Sequence, residues 1–190
     1  KGTSKRYLAN ELADRQSAQA LFTSEKERAE NVMIVDLVRN DLSKVCAVGS
    51  VRVEELFGIY SFPQVHQMIS TVSGTLNRDA ALVDLLRASF PMGSMTGEPK
   101  LRAMELIDAY EPSARGWYSG ALGYVLPSGD FDFNVLIRSI FLNTQKQTMS
   151  FSVGSAITDM AIAQEEYEEC LLKAKAMALA LGVDEFTGKI

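Results

Sequence analysis

The segment Pro91–Lys100 constrains the fold of this chain most strongly, because it joins a loop to the start of a helix within ten residues. Gly93 and Gly97 allow the backbone to turn and to approach a ligand closely. Thr96 is expected to cap the following helix, whose first turn Pro99 favours. The N–H groups at such a helix start favour an anion, but most capped helices bind nothing, so both interpretations stay open.

The bulk composition limits the possible partners. The 190 residues are 47% hydrophobic and 23% charged, which is typical of a globular domain or of part of a larger one. The net charge of −5 without a basic cluster argues against nucleic acid, and no apolar run is long enough to span a membrane. Cys46 and Cys170 lie far apart without metal-ligand spacing, which predicts free thiols in a reducing compartment such as the cytoplasm.

Hydrophobic periodicity and turn residues predict the order of helices and strands. The predicted helices cover residues 11–22, 24–45, 80–88, 101–110 and 162–181, and the predicted strands cover residues 51–60, 65–76, 117–126, 131–142 and 148–157. Ser24 and Glu27 form a capping box for the second helix, while residues 1–6 are expected to be a loop. Short turns separate the last three strands, which predicts an antiparallel meander. This order predicts an α+β fold with helices packed on antiparallel β-sheets.

Two of the predicted helices carry carboxylates that could hold a metal ion. Glu166, Glu169 and Lys173 share one face of the last helix because of their spacing. The apolar face of that helix is predicted to consist of Tyr167, Leu171, Ala174 and Ala178. Glu30 enters an apolar stretch of the second helix, where a carboxylate needs a partner. Carboxylates from two helices often hold Mg²⁺, but an exposed face with an ion pair between Glu169 and Lys173 would explain the same pattern.

The predicted meander supplies groups of the opposite charge. Arg138 ends an apolar strand, and Tyr118 lies on a neighbouring one. An arginine in this position either forms a structural salt bridge or binds an anion, and the pattern does not distinguish between the two. Residues 154–156 follow the third strand and could present backbone N–H groups to a second anion. Together these groups describe a site for a small dianion and Mg²⁺.

A series of ordered motifs resembles those of the chorismate-utilising family, which includes anthranilate synthase component I, aminodeoxychorismate synthase component I and isochorismate synthase. The motifs cover nearly the whole chain and are Ala29-Glu30, Asp36–Asp41, Pro91–Lys100, Arg115–Tyr124, Asn134–Arg138, Gly154–Ile157 and Glu166–Lys173. The resemblance implies the C-terminal part of an α+β domain built on two antiparallel sheets. Residues 1–190 would then belong to one chorismate-binding catalytic domain whose N-terminal part lies outside this chain.

The resemblance also implies roles for individual residues. Glu30 and Glu169 correspond to the carboxylates that bind Mg²⁺, with Glu166 on the same helix face as Glu169. Tyr118 and Arg138 would hold the enolpyruvyl carboxylate of chorismate. The ring carboxylate and further substrate contacts would be provided by Lys173, Gly154, Ser155, Ala156 and Thr96.

The first residues favour one member of the family. Aminodeoxychorismate synthase carries Pro-Ile-Lys-Gly-Thr where this chain begins with Lys1-Gly2-Thr3, whereas anthranilate synthase has Ala in place of the Lys. The resemblance therefore makes Lys1 the nucleophile and adds Thr3 to the catalytic set. In the family scheme the Lys amine attacks C2 of chorismate with loss of the C4 hydroxyl, and ammonia then adds at C4 and expels the Lys. A separate glutamine amidotransferase would supply the ammonia; without this context, Lys1 would be an ordinary solvated loop residue.

Two positions depart from the family pattern. Asn31 and Gln67 stand where many members have His, and an amide has no useful proton at neutral pH, so an acid–base role is unsupported there. His66, one position earlier, would point to the other face of its strand. The departure argues against pyruvate elimination and therefore against anthranilate synthase.

The leading prediction is Mg²⁺-dependent amination of chorismate to 4-amino-4-deoxychorismate, a step toward 4-aminobenzoate and folate. Anthranilate or isochorismate synthesis is the alternative within the family. The non-enzymatic alternative is an inactive scaffold or a partner-binding half.

Overall fold

The structure, a computed structural model, describes residues 2–159 and 161–182 of the chain. The chain packs into two compact units, Lys1–Pro112 and Ser113–Ile190. Their combination into one catalytic domain, which the resemblance implies, stays a prediction. None of the described helices has both the length and the apolar character that a membrane crossing requires.

The first unit contains a three-stranded antiparallel sheet and four α-helices. Its elements are β1 Thr3–Lys5, α1 Glu11–Thr23, α2 Glu25–Ser43, β2 Arg52–Ser61, β3 Val65–Ser73, α3 Leu82–Ser89 and α4 Lys100–Tyr110, with a short 3-10 helix at Gly93–Met95. The strand order is β1-β3-β2, so β3 is central. Each predicted helix and strand of this unit is present, within a few residues of its predicted ends.

The helices α1 and α2 begin at side-chain caps and pack on the sheet. Asn10 accepts a hydrogen bond from the backbone N–H of Ala13, and Ser24 accepts one from the backbone N–H of Glu27. Such caps satisfy N–H groups that have no partner within the helix. Both helices contact β3, and the buried side chains of this unit include Leu21, Val35 and Leu37 on the helices and the fully buried Met68 on β3.

The strand β1 corrects the prediction of a loop for residues 1–6. Thr3 pairs with Gln67 and Ser4 with His66, and the backbone N–H of Met68 donates to the Gly2 carbonyl at 2.9 Å. A three-residue strand is too short to show a period of two, and its partner strand begins only at Val65. The pairing attaches the N-terminal segment to the central strand.

The cap predicted at Thr96 is wrong. The helix α4 begins at Lys100, its N-cap residue is Pro99, and no side chain caps it. The Thr96 hydroxyl instead donates to the carbonyl oxygen of Met92 at 3.1 Å, within the turn that the 3-10 helix makes. The helix begins too late for Thr96 to reach its free N–H groups.

The second unit contains two hairpins and one long helix. Its elements are β4 Ala121–Val125, β5 Phe131–Val135, β6 Phe141–Asn143, β7 Thr148–Ser150 and α5 Ala163–Ala180. β4 pairs with β5 and β6 with β7, each pair as a separate two-stranded antiparallel sheet. The predicted meander is therefore wrong, because residues 136–140 interrupt the predicted strand 131–142. Arg138 has φ +51° there, which a continuous strand does not allow.

The buried face of α5 agrees only in part with the predicted apolar face, of which Ala174 and Ala178 are buried. Tyr167 and Leu171 are 43% and 40% exposed, whereas Glu166 is 3% exposed and belongs to the buried face with Ala174 and Met177. The predicted end of this helix is confirmed, since Gly182 follows it with φ +67°, a left-handed conformation that glycine adopts at little cost. A carboxylate on the buried face requires polar partners, which the adjacent loop provides.

Candidate active site

Six residues of the second unit come together at α5, and we call them the Ser155 cluster. They are Tyr118, Gly154, Ser155, Glu166, Glu169 and Lys173. The Ser155 hydroxyl is hydrogen-bonded to Oε2 of Glu166 and lies 2.7 Å from Oε2 of Glu169. The Lys173 ammonium lies 2.9 Å from Oε1 of Glu169 and donates to the Gly154 carbonyl at 3.0 Å. All six residues were candidates from the sequence.

The surroundings of Glu169 favour its charged form. Burial opposes ionisation, but hydrogen bonds from Ser155 and Lys173 and the positive charge of Lys173 outweigh it, so the pKa of Glu169 lies below its ordinary value. Glu169 is therefore a carboxylate at neutral pH. The negative charge of this carboxylate would attract a cation.

The donor set of the Ser155 cluster fits a divalent cation that prefers oxygen ligands. Oxygens of Glu166 and Glu169 converge on one hydroxyl, and carboxylates with room for water and substrate oxygens are the ligands that Mg²⁺ takes. No group of three or more acidic, His or Cys side chains that could hold a metal ion occurs among residues 2–159 and 161–182. Glu30, the third predicted ligand, lies on α2 in the first unit, where its Oε1 atom is buried. The structure thus brings two of the three predicted ligands side by side.

A turn before β4 holds Tyr118 against the loop that carries Ser155. The backbone N–H of Ser119 donates to the Leu136 carbonyl at 3.1 Å, and the N–H of Leu136 donates to the Gly120 carbonyl at 2.8 Å. A Cβ atom at position 154 would lie 2.9 Å from the Tyr118 hydroxyl, so the glycine allows this close approach. The phenol and the two carboxylates are thereby held around one loop.

The remaining predicted residues of the second unit lie at its surface. Arg138 is exposed between β5 and β6, in the left-handed conformation already described, and not at the end of a strand. Ala156 is exposed next to Ser155. The contacts of residues 154 and 155 use a carbonyl and a hydroxyl, so the predicted binding of an anion by their N–H groups stays a prediction.

The predicted residues of the first unit are placed as follows. Thr3 is half-buried on β1 opposite Gln67, and Thr96 lies in the turn before α4. Lys1, the predicted nucleophile, lies outside the described residues. The catalytic and substrate-binding roles of these three residues stay predictions.

Comparison with known proteins identifies the family. Residues 1–179 match the family described as chorismate binding enzyme. The chain belongs to this family. It is 49% identical over 153 residues to "Probable aminodeoxychorismate synthase, chloroplastic" of Oryza sativa subsp. japonica, a match that covers 80% of this chain and 17% of that protein. It is 41% identical over 189 residues to "Aminodeoxychorismate synthase component 1" of Bacillus subtilis (strain 168), covering 100% of this chain and 40% of that protein.

A solved structure supports the same family and the same fold. The crystal structure of anthranilate synthase component I from Streptococcus pneumoniae TIGR4 matches with a TM-score of 0.75 and 34% identity, over 92% of this chain and 41% of that chain. The predicted family and the α+β fold with antiparallel sheets are therefore confirmed. The chain spans less than half the length of each of these three relatives.

In this chorismate binding enzyme, Asn31 supports a bulge in β2. Its side-chain oxygen accepts a hydrogen bond from the Ser70 hydroxyl at 2.5 Å, and that hydroxyl accepts one from the backbone N–H of Phe57 at 3.0 Å. Phe57 has φ +62°, the register of β2 shifts between Glu55 and Gly58, and the bulge leaves this N–H outside the ladder. At the position where the family resemblance implies His, this chain therefore uses an amide to fix its sheet.

Sequence reasoning missed the role of Asp14 as a partner of the chain's single histidine. His66, 2% exposed, has Nδ1 2.9 Å from the Ser61 hydroxyl and Nε2 3.1 Å from Oδ1 of Asp14. Arg6 donates to both oxygens of Asp14 at 2.9 and 3.0 Å, and the backbone N–H of Tyr7 donates at 2.7 Å. The Tyr7 bond is the main cause of a lowered pKa of Asp14, with Arg6 and His66 adding to it against the effect of burial. The network joins the segment after β1 to α1 and β3.

A second missed carboxylate connects two of the family motifs. Asp41, 4% exposed, lies 2.9 Å from the ammonium of Lys44 and 2.5 Å from that of Lys100. Four positions earlier on the same face of α2, Leu37 packs against the buried Gly93. The segment Pro91–Lys100 is thus held on α2 by one ion pair and one apolar contact. The i, i+4 spacing of Leu37 and Asp41 was visible in the sequence, but the partner segment was not.

Proposed function

We propose that the full-length protein aminates chorismate to 4-amino-4-deoxychorismate. The observation that carries the proposal is the Ser155 cluster, in which Tyr118, Lys173 and two carboxylates meet around one loop. Relatives that are 49% and 41% identical to this chain are named aminodeoxychorismate synthase, which supports this member of the family.

We propose that Lys173 and Tyr118 bind substrate carboxylates. An ammonium group has three N–H donors, and two of those of Lys173 are directed to Glu169 and Gly154. The third donor can bind the ring carboxylate of chorismate. Tyr118 and Arg138 would bind the enolpyruvyl carboxylate, as the family resemblance implies.

We propose that Mg²⁺ is the metal cofactor and that Glu166 and Glu169 hold it. Glu30 as a further ligand is what the family resemblance implies. When bound, the ion supplies a template and a Lewis acid for the substrate. Glu169 is ionised at neutral pH, which a metal ligand requires. The half-buried position of this carboxylate reduces competition from bulk water.

The ammonia would come from a separate glutamine amidotransferase. Glutaminases of the Cys-His type need a thiolate beside an imidazole. The only histidine of this sequence, His66, has both ring nitrogens engaged by Ser61 and Asp14. Burial raises the pKa of the Cys170 thiol, which disfavours the nucleophilic thiolate. We propose that the reaction takes place in a reducing compartment such as the cytoplasm, a proposal that the free thiols of Cys46 and Cys170 support.

The product of the reaction tests the proposal. The intact protein with chorismate, Mg²⁺ and ammonium should form 4-amino-4-deoxychorismate, identified by liquid chromatography and mass spectrometry. Anthranilate with pyruvate, or isochorismate, would instead identify another activity of the family. Calorimetry that detects no Mg²⁺-dependent binding of chorismate would favour an inactive scaffold.

The lysine nucleophile has its own test, mass spectrometry of the protein with chorismate and Mg²⁺ but no ammonia source. An adduct should appear on Lys1 and be absent from Lys1→Ala. That variant should still bind chorismate while amination falls by orders of magnitude, because a nucleophile is removed and the binding groups are kept. An adduct on Lys5 or Lys100 would show that the wrong lysine was chosen.

A further inference from the structure

One hydroxyl group lies between the two carboxylates of the Ser155 cluster. Glu166 and Glu169 are three positions apart on α5, so their side chains are neighbours. The Ser155 hydroxyl oxygen lies within hydrogen-bonding distance of Oε2 of both, and its single hydrogen is donated to one of them at a time. It therefore directs the same oxygen of each carboxylate toward one point.

The backbone beside Ser155 is attached to the same helix. The Gly154 carbonyl accepts a hydrogen bond from Lys173 at 3.0 Å. Lys173 lies one turn after Glu169 on α5. The loop is thus fixed at two adjacent residues, which restricts where the hydroxyl can lie. A hydroxyl held in this way orients the carboxylates more strongly than a mobile surface serine would.

We infer that Ser155 is a positioning residue of a divalent-cation site. Its hydroxyl orients Glu166 and Glu169, the carboxylates that would bind the cation. The role differs from the binding of a substrate carboxylate by the Ser155 N–H, which the family resemblance implies. The inference rests on the metal site of the proposed function. Residues that orient metal ligands typically change metal affinity ten- to a hundredfold when they are removed.

Titration of the full-length protein with Mn²⁺ alone, followed by electron paramagnetic resonance of the free ion at neutral pH, tests the inference. Ser155→Ala should raise the Kd for Mn²⁺ about ten- to a hundredfold, because it deletes the hydroxyl and keeps the backbone. Ser155→Thr keeps the hydroxyl and should retain most of the affinity. Ser152→Ala is the matched control, since Ser152 is exposed in the same loop. Thermal unfolding verifies that each variant is folded, and Ser155→Gly is a second variant without the hydroxyl.

The outcomes separate this inference from the proposed metal site. A Kd that rises in both variants lacking the hydroxyl, but in neither Ser155→Thr nor Ser152→Ala, supports the inference. Mn²⁺ binding by the wild type with an unchanged or lower Kd in Ser155→Ala overturns it and leaves the metal site standing. An equal loss in Ser152→Ala also overturns it. A wild-type protein that binds no Mn²⁺ removes both the metal site and the inference.

Discussion

Asp14 accepts hydrogen bonds from Arg6, Tyr7 and His66, so its charge contributes to the attachment of the N-terminal segment. Because its pKa is lowered in the folded state, its contribution to stability is present above the unfolded pKa and is lost as the pH falls through the folded pKa. We expect Asp14→Asn to lower the free energy of unfolding at pH 7. The difference from the wild type should shrink in acid, below about pH 4. Urea unfolding at several pH values measures both effects.

The matched control for this change is Asp36→Asn. Asp36 is exposed on α2 and pairs only at the surface, with Arg39 at 2.8 Å and an i, i+3 spacing. Exposed pairs of this kind contribute little to stability, so the control should show almost no change with pH. Equal pH profiles for the two variants would contradict the role of the Asp14 network.

Glu169→Gln separates metal binding from folding at the candidate site. The variant keeps the size of the side chain but removes a charge that Mg²⁺ would need, so amination should be lost at ordinary Mg²⁺ concentrations. Hydrogen bonds with Ser155 and Lys173 can still form through the amide, so the midpoint of urea unfolding should change little. Assays of amination by the variant and by the wild type over a range of Mg²⁺ concentrations measure this loss. Full activity in the variant would exclude Glu169 as a ligand.

Among the elements, the segment Pro91–Lys100 depends on its contact with α2. A Cβ atom at Gly93 would lie 3.0 Å from Cδ1 of Leu37, which is itself in the core. Gly93→Ala should therefore lower the free energy of unfolding by about 1–3 kcal/mol, as overpacking does. Urea unfolding measures this change in the free energy of unfolding, with Ser94→Ala as the control because Ser94 is exposed. A variant as stable as the control would mean that Leu37 moves aside freely.

The elements differ in how well the sequence predicted them. α2 was found from its capping signal and long apolar period, α5 from its period and the closing Gly182, and α1 as a polar, helix-permissive stretch. β3 was found because its segment is rich in β-branched residues. β1 was missed because a strand of three residues shows no period. The predicted meander was wrong because Arg138 interrupts its strand with a positive φ, which the residue type does not predict. The local hydrophobic pattern therefore predicts neither the short strand β1 nor the break at Arg138.

At the scale of the whole molecule, the residues of the Ser155 cluster were predictable and their contacts were not. The family motifs supplied all six residues, since each motif is a short local string. The ion pair between Asp41 and Lys100 joins positions 59 apart, and the bond between Asp14 and His66 joins positions 52 apart. Periodicity carries no information about such pairs. Ser155 was likewise assigned to the substrate through its backbone N–H, because the sequence cannot show that its hydroxyl faces α5.

The chain of hydrogen bonds from Phe57 through Ser70 to Asn31 has a consequence for evolution and engineering. The Ser70 hydroxyl gives its one hydrogen to Asn31 while it accepts the N–H of the bulge, so position 31 cannot change without affecting β2. The effect of Asn31→His should therefore depend on the residue at position 70. Laboratory lineages that acquire the imidazole should also acquire a compensating change at Ser70, or lose the bulge that it supports.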